Sequence, residues 1–139
     1  MNKYFIQEFR VKFSDCDVSN TVYNSNYFIW FEEARFGIAY EAEITGISGA
    51  SNDDIYYPVI EAGCKFLKPI PCHTNLLIKT CLKKPKLPRL EFEHTVMKKE
   101  TNEVLANAKT VTAIVSRKKG MFFQIPLHIE EKVKRYFNY

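Results

Sequence analysis

From Phe13 to Tyr27 the chain reads Phe-Ser-Asp-Cys-Asp-Val-Ser-Asn-Thr-Val-Tyr-Asn-Ser-Asn-Tyr. Two carboxylates, Asp15 and Asp17, stand in a polar stretch that ends in the helix-capping types Ser25 and Asn26. If a strand precedes and a helix follows, these carboxylates lie beside a helix N-terminus, where free N–H groups and a partial positive charge collect. A carboxylate can activate water or attack an activated acyl carbon, and the N–H groups can hold the developing oxyanion. That combination is most of what hydrolysis of an activated acyl group requires. The same residue types are also ordinary turn and cap residues, so the segment by itself leaves both readings open.

The flanking sequence supplies the elements that must position these groups. Alternation over Tyr4 to Phe13 predicts a strand with Phe5, Phe9, Val11 and Phe13 on its buried side and Glu8, Arg10 and Lys12 opposite. After a loop from Ser14 to Ser25 the period lengthens. Phe28, Phe31, Ala34, Ile38 and Ala42 line one face of a helix from Asn26 to about Ala42, capped by Ser25 or Asn26 and stopped by Gly46. Gly49 to Asp54 reads as a loop. Strands follow at Tyr57–Leu67, Leu76–Lys83, Leu90–Lys99 and Val104–Ser116, separated by Pro69 and Pro71, by Pro85 and Pro88, and by the Thr101–Asn102 turn. Small and β-branched residues at the even positions from Val104 to Ile114 suit close packing on a helix. A short strand, Met121–Gln124, and a terminal helix opened by Pro126 complete the chain. One long helix followed by consecutive strands predicts an α+β fold, an antiparallel sheet wrapped around the helix, in a single domain spanning 1–139. The helix covers one face and leaves sheet edges open, so a homodimer or homotetramer is expected.

Composition removes several function classes. The chain is 46% hydrophobic and 14% aromatic, enough for a real core. No apolar run approaches the roughly 20 residues of a membrane span, and the first residues lack a signal-peptide stretch, so a cytoplasmic protein with no membrane span is expected. Cys16, Cys64, Cys72 and Cys81 form no C-x-x-C pair and read as free thiols. His73, His94 and His128 have no metal-ligand spacing; His94 falls on the apolar side of its strand and reads as a satisfied core histidine. No G-x-S-x-G and no phosphate-binding glycine loop occurs. The net charge is +4, and Lys83, Lys84, Lys86 and Arg89 cluster, as do Arg117, Lys118 and Lys119. Such clusters bind phosphate or simply decorate turns. Without an aromatic–basic motif they give no nucleic-acid partner. Arg35 falls within the helix's buried arc and needs a partner; Asp15 could pair with it or cap its own turn.

Asp15, Cys16, Asp17, Val22, Tyr23, Asn26 and Tyr27, followed by Phe31-Glu32-Glu33-Ala34-Arg35, resemble the signature of the hotdog-fold acyl-CoA thioesterases of the 4-hydroxybenzoyl-CoA thioesterase type. Weaker matches at Phe66 with Pro69, at Leu105-Ala106 with Thr110, and at Ile125-Pro126 extend the resemblance over almost the whole chain. It implies a hotdog fold and makes Asp17 the nucleophile or general base. The backbone N–H of Asn24 would polarise the thioester carbonyl. Tyr23, Ser25, Tyr27 and Glu61 would contact substrate, in sites built across a subunit interface without metal or cofactor. Lys84, Lys86, Arg89 and Lys118 would then meet the phosphates of an acyl-CoA. Three positions depart from the pattern: Asn20 replaces a common Gly, Asn24 replaces the His of one branch, and Gly37 stands where relatives often carry Glu. A thioesterase acting on acyl carrier protein through the same Asp17, and a non-catalytic domain that binds acyl chains or only assembles, are the alternatives.

Overall fold

A computed structural model describes residues 3–44 and 54–137. Strand β1 (Tyr4–Arg10) leads through a 3-10 turn (Phe13–Asp15) to helix α1 (Asn24–Ala42). Then come β2 (Ile55–Tyr56), β3 (Val59–Phe66), β4 (Asn75–Leu82), β5 (Arg89–Lys98), β6 (Val104–Ala113), β7 (Val115–Ser116), β8 (Gly120–Met121) and helix α2 (Leu127–Phe137). Five strands form one sheet in the order β1-β4-β5-β6-β3, every pair antiparallel. The short strands make a second sheet, β2-β7-β8.

Alternation places the helix. Ile78, Thr80 and Leu82 of β4, Leu90, Phe92, His94 and Val96 of β5, and Ala106, Thr110 and Thr112 of β6 are all buried. Phe31 of α1 stacks on the His94 ring at 4.3 Å between centroids, which fixes the even positions as the face that wraps α1. The helix buries Tyr27, Trp30, Phe31, Ala34, Arg35, Ile38, Ala39 and Ala42, a wider arc than the predicted stripe. The curved sheet reaches around it on two sides: Phe9 of β1 packs on Trp30, and Phe66 of β3 packs edge-on against Tyr27. The opposite sheet face is charged, with Lys109 bridging Glu61 and Glu91.

Several boundaries shift from the sequence expectation for physical reasons. β1 ends at Arg10; Phe13 opens the 3-10 turn and is 74% exposed rather than buried. Helix α1 starts two residues early, with Tyr23 in extended conformation as its N-cap and no side-chain cap bond. Ser25 and Asn26 are therefore helical residues, not caps. The strand predicted from Tyr57 begins only at Val59, after Pro58, which cannot donate to the ladder, and the short β2 before it was not expected. The long final strand breaks at Ile114, where the chain leaves β3 and β5 to pair with β2. The last short strand is Gly120–Met121. Gly46 and positions 49–53 lie outside the described residues.

Gly37 has a packing role. A Cβ added there would meet the Phe5 ring at 2.1 Å, so the missing side chain lets β1 lie directly on α1. A larger residue would have to push Phe5 aside.

The core also contains one polar cluster. His94 is 1% exposed; its Nδ1 and Nε2 each lie 2.8 Å from a threonine hydroxyl, of Thr80 and Thr110 respectively. Burial, and then the Arg35 charge, push its pKa down to about 3. Arg35 is itself buried, and burial lowers its pKa against the pull of Glu32. Of the two roles open to Asp15, the structure shows the turn cap: its carboxylate accepts the Lys12 N–H at 2.9 Å. His94 is therefore neutral when folded, and the sign of its pH effect follows. Below its ordinary value of 6.5 the unfolded chain binds a proton that the folded chain refuses. Stability is full above that value and falls toward acid by up to about 1.4 kcal/mol per pH unit. Urea unfolding should show a loss of roughly 2 kcal/mol between pH 6.5 and 5, above the range where most carboxylates titrate. In His94→Gln that slope should vanish; an equal slope in both proteins contradicts a neutral buried ring.

Candidate active site

The site begins with a single carbonyl. The backbone oxygen of Asp15 accepts the N–H of Tyr23 at 2.9 Å and the side-chain amide of Asn26 at 2.7 Å. The residue leaving the 3-10 turn is thereby pinned to the N-cap and first turn of α1. Between these anchors the chain closes a small hairpin. Cys16 bridges Val22, the Asp17 N–H donates to Thr21 at 3.0 Å, and the Asn20 N–H returns to the Asp17 carbonyl at 3.0 Å. Asn20 turns the corner at φ 62°, the left-handed conformation that asparagine tolerates best after glycine. The hairpin docks on the segment before β4: Val22 donates to Ile70, Thr21 bridges Pro71, and Cys72 donates to Asn20.

Asp17 projects from this hairpin into solvent. Its Oδ1 accepts the Ser19 N–H at 2.9 Å and the Ser19 hydroxyl, which also contacts the Thr21 hydroxyl at 2.7 Å. These bonds, the Ser19 hydroxyl foremost, hold the Asp17 carboxyl below its ordinary pKa, so it is ionised at neutral pH. Ser19 was absent from the sequence expectations, although an Asp bonding the N–H two residues on is a known local signal. Asn24 and Ser25 are the first two residues of α1 and are exposed. Among the described residues neither of their N–H groups finds an acceptor. The local arrangement is a carboxylate held by its own turn, on a hairpin pinned to a helix start with open N–H groups, and Val18 and Tyr23 on either side of the turn are exposed.

The other expected contacts are dispersed. Tyr27 is turned into the core, 2% exposed, and burial followed by the nearby Cys64 pushes its hydroxyl up to about 12. It braces the helix start against Phe66 rather than facing solvent. Glu61 lies on the charged outer face of the sheet, 3.3 Å from Lys109, and faces away from the helix. The reason is register: Ala62, Cys64 and Phe66 oppose Thr110, Ala108 and Ala106, so the odd positions of β3 point outward. The basic turn with Lys84, Lys86 and Arg89 follows β4, whereas the Asp17 hairpin packs against the residues preceding β4. The length of β4, roughly 24 Å at 3.4 Å per residue, separates them within one chain. Lys118 shares the far end with this turn, since Ala113 pairs with Arg89; its N–H donates to Asp54 at 3.0 Å. A groove of about 590 Å³ adjoins the pinned carbonyl, bounded by Phe9, Asp15, Asn26, Ile29 and Trp30. Among the described residues no cluster of His, Cys, Asp and Glu has the geometry to hold a metal ion, and no helix is long and apolar enough to cross a membrane.

Comparison with known proteins agrees with this architecture. A structure of a 1,4-dihydroxy-2-naphthoyl-CoA thioesterase from Synechocystis superposes with a TM-score of 0.83, at 18% identity over 98% of this chain and 96% of that one. A gentisyl-coenzyme A thioesterase superposes with a TM-score of 0.76, at 25% identity over 92% of this chain and 98% of that one. A protein of Aquifex aeolicus (strain VF5) named "Putative esterase" is 28% identical over 130 residues, covering 94% of this chain and 98% of its own. The family described as the thioesterase-like superfamily matches residues 11–133, from the end of β1 into α2. With that match over most of its length, and with the sheet-wrapped helix that those thioesterases share, this chain belongs to the thioesterase-like superfamily and has the hotdog fold.

Proposed function

We propose that this protein hydrolyses an acyl-CoA to the free acid and CoA, with Asp17 as nucleophile or general base. The observation that carries the reading is an ionised, exposed carboxylate on a hairpin that the Asp15 carbonyl pins to the start of α1, where the first helical N–H groups are open. A thioester carbonyl directed at the Asn24 N–H gains negative charge as its carbon is attacked, and the helix terminus stabilises that charge. Asp17 then acts directly on the carbon or on a water between them. Tyr23 and Ser25 border the approach, while Tyr27 acts from behind by holding the helix start. Gly37 is accounted for by Phe5, so its departure from the family pattern is a matter of packing.

The reading needs a second copy of the chain. Strand β3 is a sheet edge and carries Val59, Ile60 and Phe66 at 48%, 52% and 44% exposure, an apolar border that a lone chain leaves in water. Antiparallel pairing of two β3 edges would extend the sheet across a two-fold axis. The partner's far strand ends, with their Lys84, Lys86, Arg89 and Lys118 turns, would then lie at the same end as the first chain's Asp17. The CoA phosphates would meet basic charge from the neighbouring subunit.

Asp17→Asn keeps the size and removes the charge. It should lower kcat by several orders of magnitude with the thermal midpoint nearly unchanged; a loss within about tenfold, roughly 1.4 kcal/mol of barrier, contradicts the assignment. Because Asp17 is held below the usual carboxylate range, kcat/KM should show no acidic limb between about pH 5 and 7. Light scattering should give a dimer or tetramer at micromolar concentration, and Ile60→Lys should yield monomers that have lost activity; an active monomer sinks the shared-site reading. Reversing Lys86 and Arg89 to Glu should raise KM for acyl-CoA and flatten its salt dependence with kcat held. The matching pantetheine thioester should be unaffected, and equal losses on both substrates would show that these residues do not meet the nucleotide.

A further inference from the structure

Two of the four cysteines converge at the base of the hairpin that carries Asp17. Cys16 directly precedes Asp17, and its Sγ donates to the Lys12 carbonyl at 3.6 Å. Cys72 arrives from the segment before β4: its N–H donates to Asn20 at 3.0 Å, and the adjacent His73 N–H donates to Val11 at 3.1 Å. Both residues are thus tied to the same stretch, 11–12, and to the same hairpin. The Cys72 thiol lies close enough to Cys16 to push its proton affinity up, and both residues are half-buried, within reach of a small oxidant. The other two thiols differ. Cys81 is 3% exposed, and Cys64 sits on β3 beside Tyr27. A free cysteine usually serves as a small buried hydrophobe; two half-buried ones brought together at the base of a polar hairpin do not fit that role.

We propose that Cys16 and Cys72 are a redox modification site, a dithiol that closes reversibly to a disulfide and switches off the hydrolytic site beside it. The closure itself is independent of what Asp17 does; the switching rests on Asp17 carrying the hydrolysis. The oxidant is a low-molecular-weight disulfide such as oxidised glutathione. One cysteine loses its proton, and the thiolate attacks the glutathione disulfide, forming a mixed disulfide and releasing one glutathione thiolate. The second cysteine, deprotonated, attacks the protein-bound sulfur, forms the Cys16–Cys72 bond and releases the second glutathione. Two protein thiols are oxidised and one disulfide is reduced to two thiols.

A disulfide bond is about 2.05 Å long, shorter than any contact between two separate thiols, so closure draws Cys16 and Cys72 together. Asp17 follows Cys16 directly and moves with it. Misplacing a reacting group by about 1 Å costs on the order of 10²-fold in rate. Burial, and then the contact with Cys72, push the Cys16 thiol up to about 11, so its thiolate fraction and the exchange rate rise with pH through the neutral range.

The test uses the full chain incubated with oxidised glutathione, followed by intact mass, peptide mapping without reduction, and initial rates on an acyl-CoA that the reduced protein hydrolyses. The expected product is lighter by two hydrogens, carries a Cys16–Cys72 linked peptide, and has lost about 10- to 100-fold of its rate. Dithiothreitol should restore it. Cys72→Ser should keep the reduced rate and lose the response to oxidant, whereas Cys64→Ser should respond as the parent does. Separate glutathione adducts without a cross-link, or equal inhibition of Cys72→Ser, overturn the proposal. A cross-link that leaves the rate unchanged overturns the switching alone. A reduced chain that hydrolyses no acyl-CoA refutes the Asp17 reading and the switching with it, while the mapped cross-link still decides whether the disulfide forms.

Discussion

The double hydrogen bond to the Asp15 carbonyl is the constraint on which the site depends. One acceptor with two lone pairs serves a backbone donor from the N-cap and a side-chain donor from the first turn of α1. Without it, the hairpin and the helix start would be joined only by the chain between them. With it, the direction of Asp17 is referenced to the same helix that offers its N–H groups. Asn26 does not cap the helix as its type suggests. It spends its amide holding the preceding loop, and among the described residues the Asn24 and Ser25 N–H groups stay without an acceptor. An optimal N-cap would have filled the electrostatic vacancy that the proposed chemistry would use.

The remainder of the molecule holds α1 in place. The sheet wraps the helix from Phe9 on one flank to Phe66 on the other, and each flank grips the first turns through an aromatic, Trp30 or Tyr27. Deeper in, Phe31 rests on a His94 ring whose two nitrogens are both satisfied by threonines. That arrangement permits one ring orientation and one register of β4, β5 and β6, because a shift would strand a buried nitrogen. The polar cluster thus specifies the sheet that positions the helix.

Much of this was legible in the sequence. Change of period from two to 3.6 located β1 and α1, and proline and Asn–Thr breaks located the later strands. The Asp15–Tyr27 pattern identified the family. His94 was readable as a satisfied core residue because it fell on an apolar face. The misreadings share a physical cause. Phe13 continued an alternation, but the strand had already ended. Ser25 and Asn26 had capping chemistry, but Tyr23, with none, took the N-cap. Glu61 was named through the family resemblance, and its outward direction, fixed by pairing with β6, has no local signal. The separation of the basic turns from Asp17 depends on strand order, which local sequence does not encode. Ser19 was recoverable from a local rule, whereas the contact of Cys16 with Cys72 joins segments more than fifty positions apart and has no local signature.

The seating of the Phe5 ring over Gly37 carries a consequence for sequence drift. The two positions belong to different elements, yet they share one volume. Enlarging position 37 alone meets the ring, and shrinking position 5 alone opens a void above the glycine, so each single step costs stability. A long side chain at the helix position requires a smaller or displaced residue on the first strand. The pair therefore changes as a unit, and the residue at position 5 forecasts which side chains position 37 can accept.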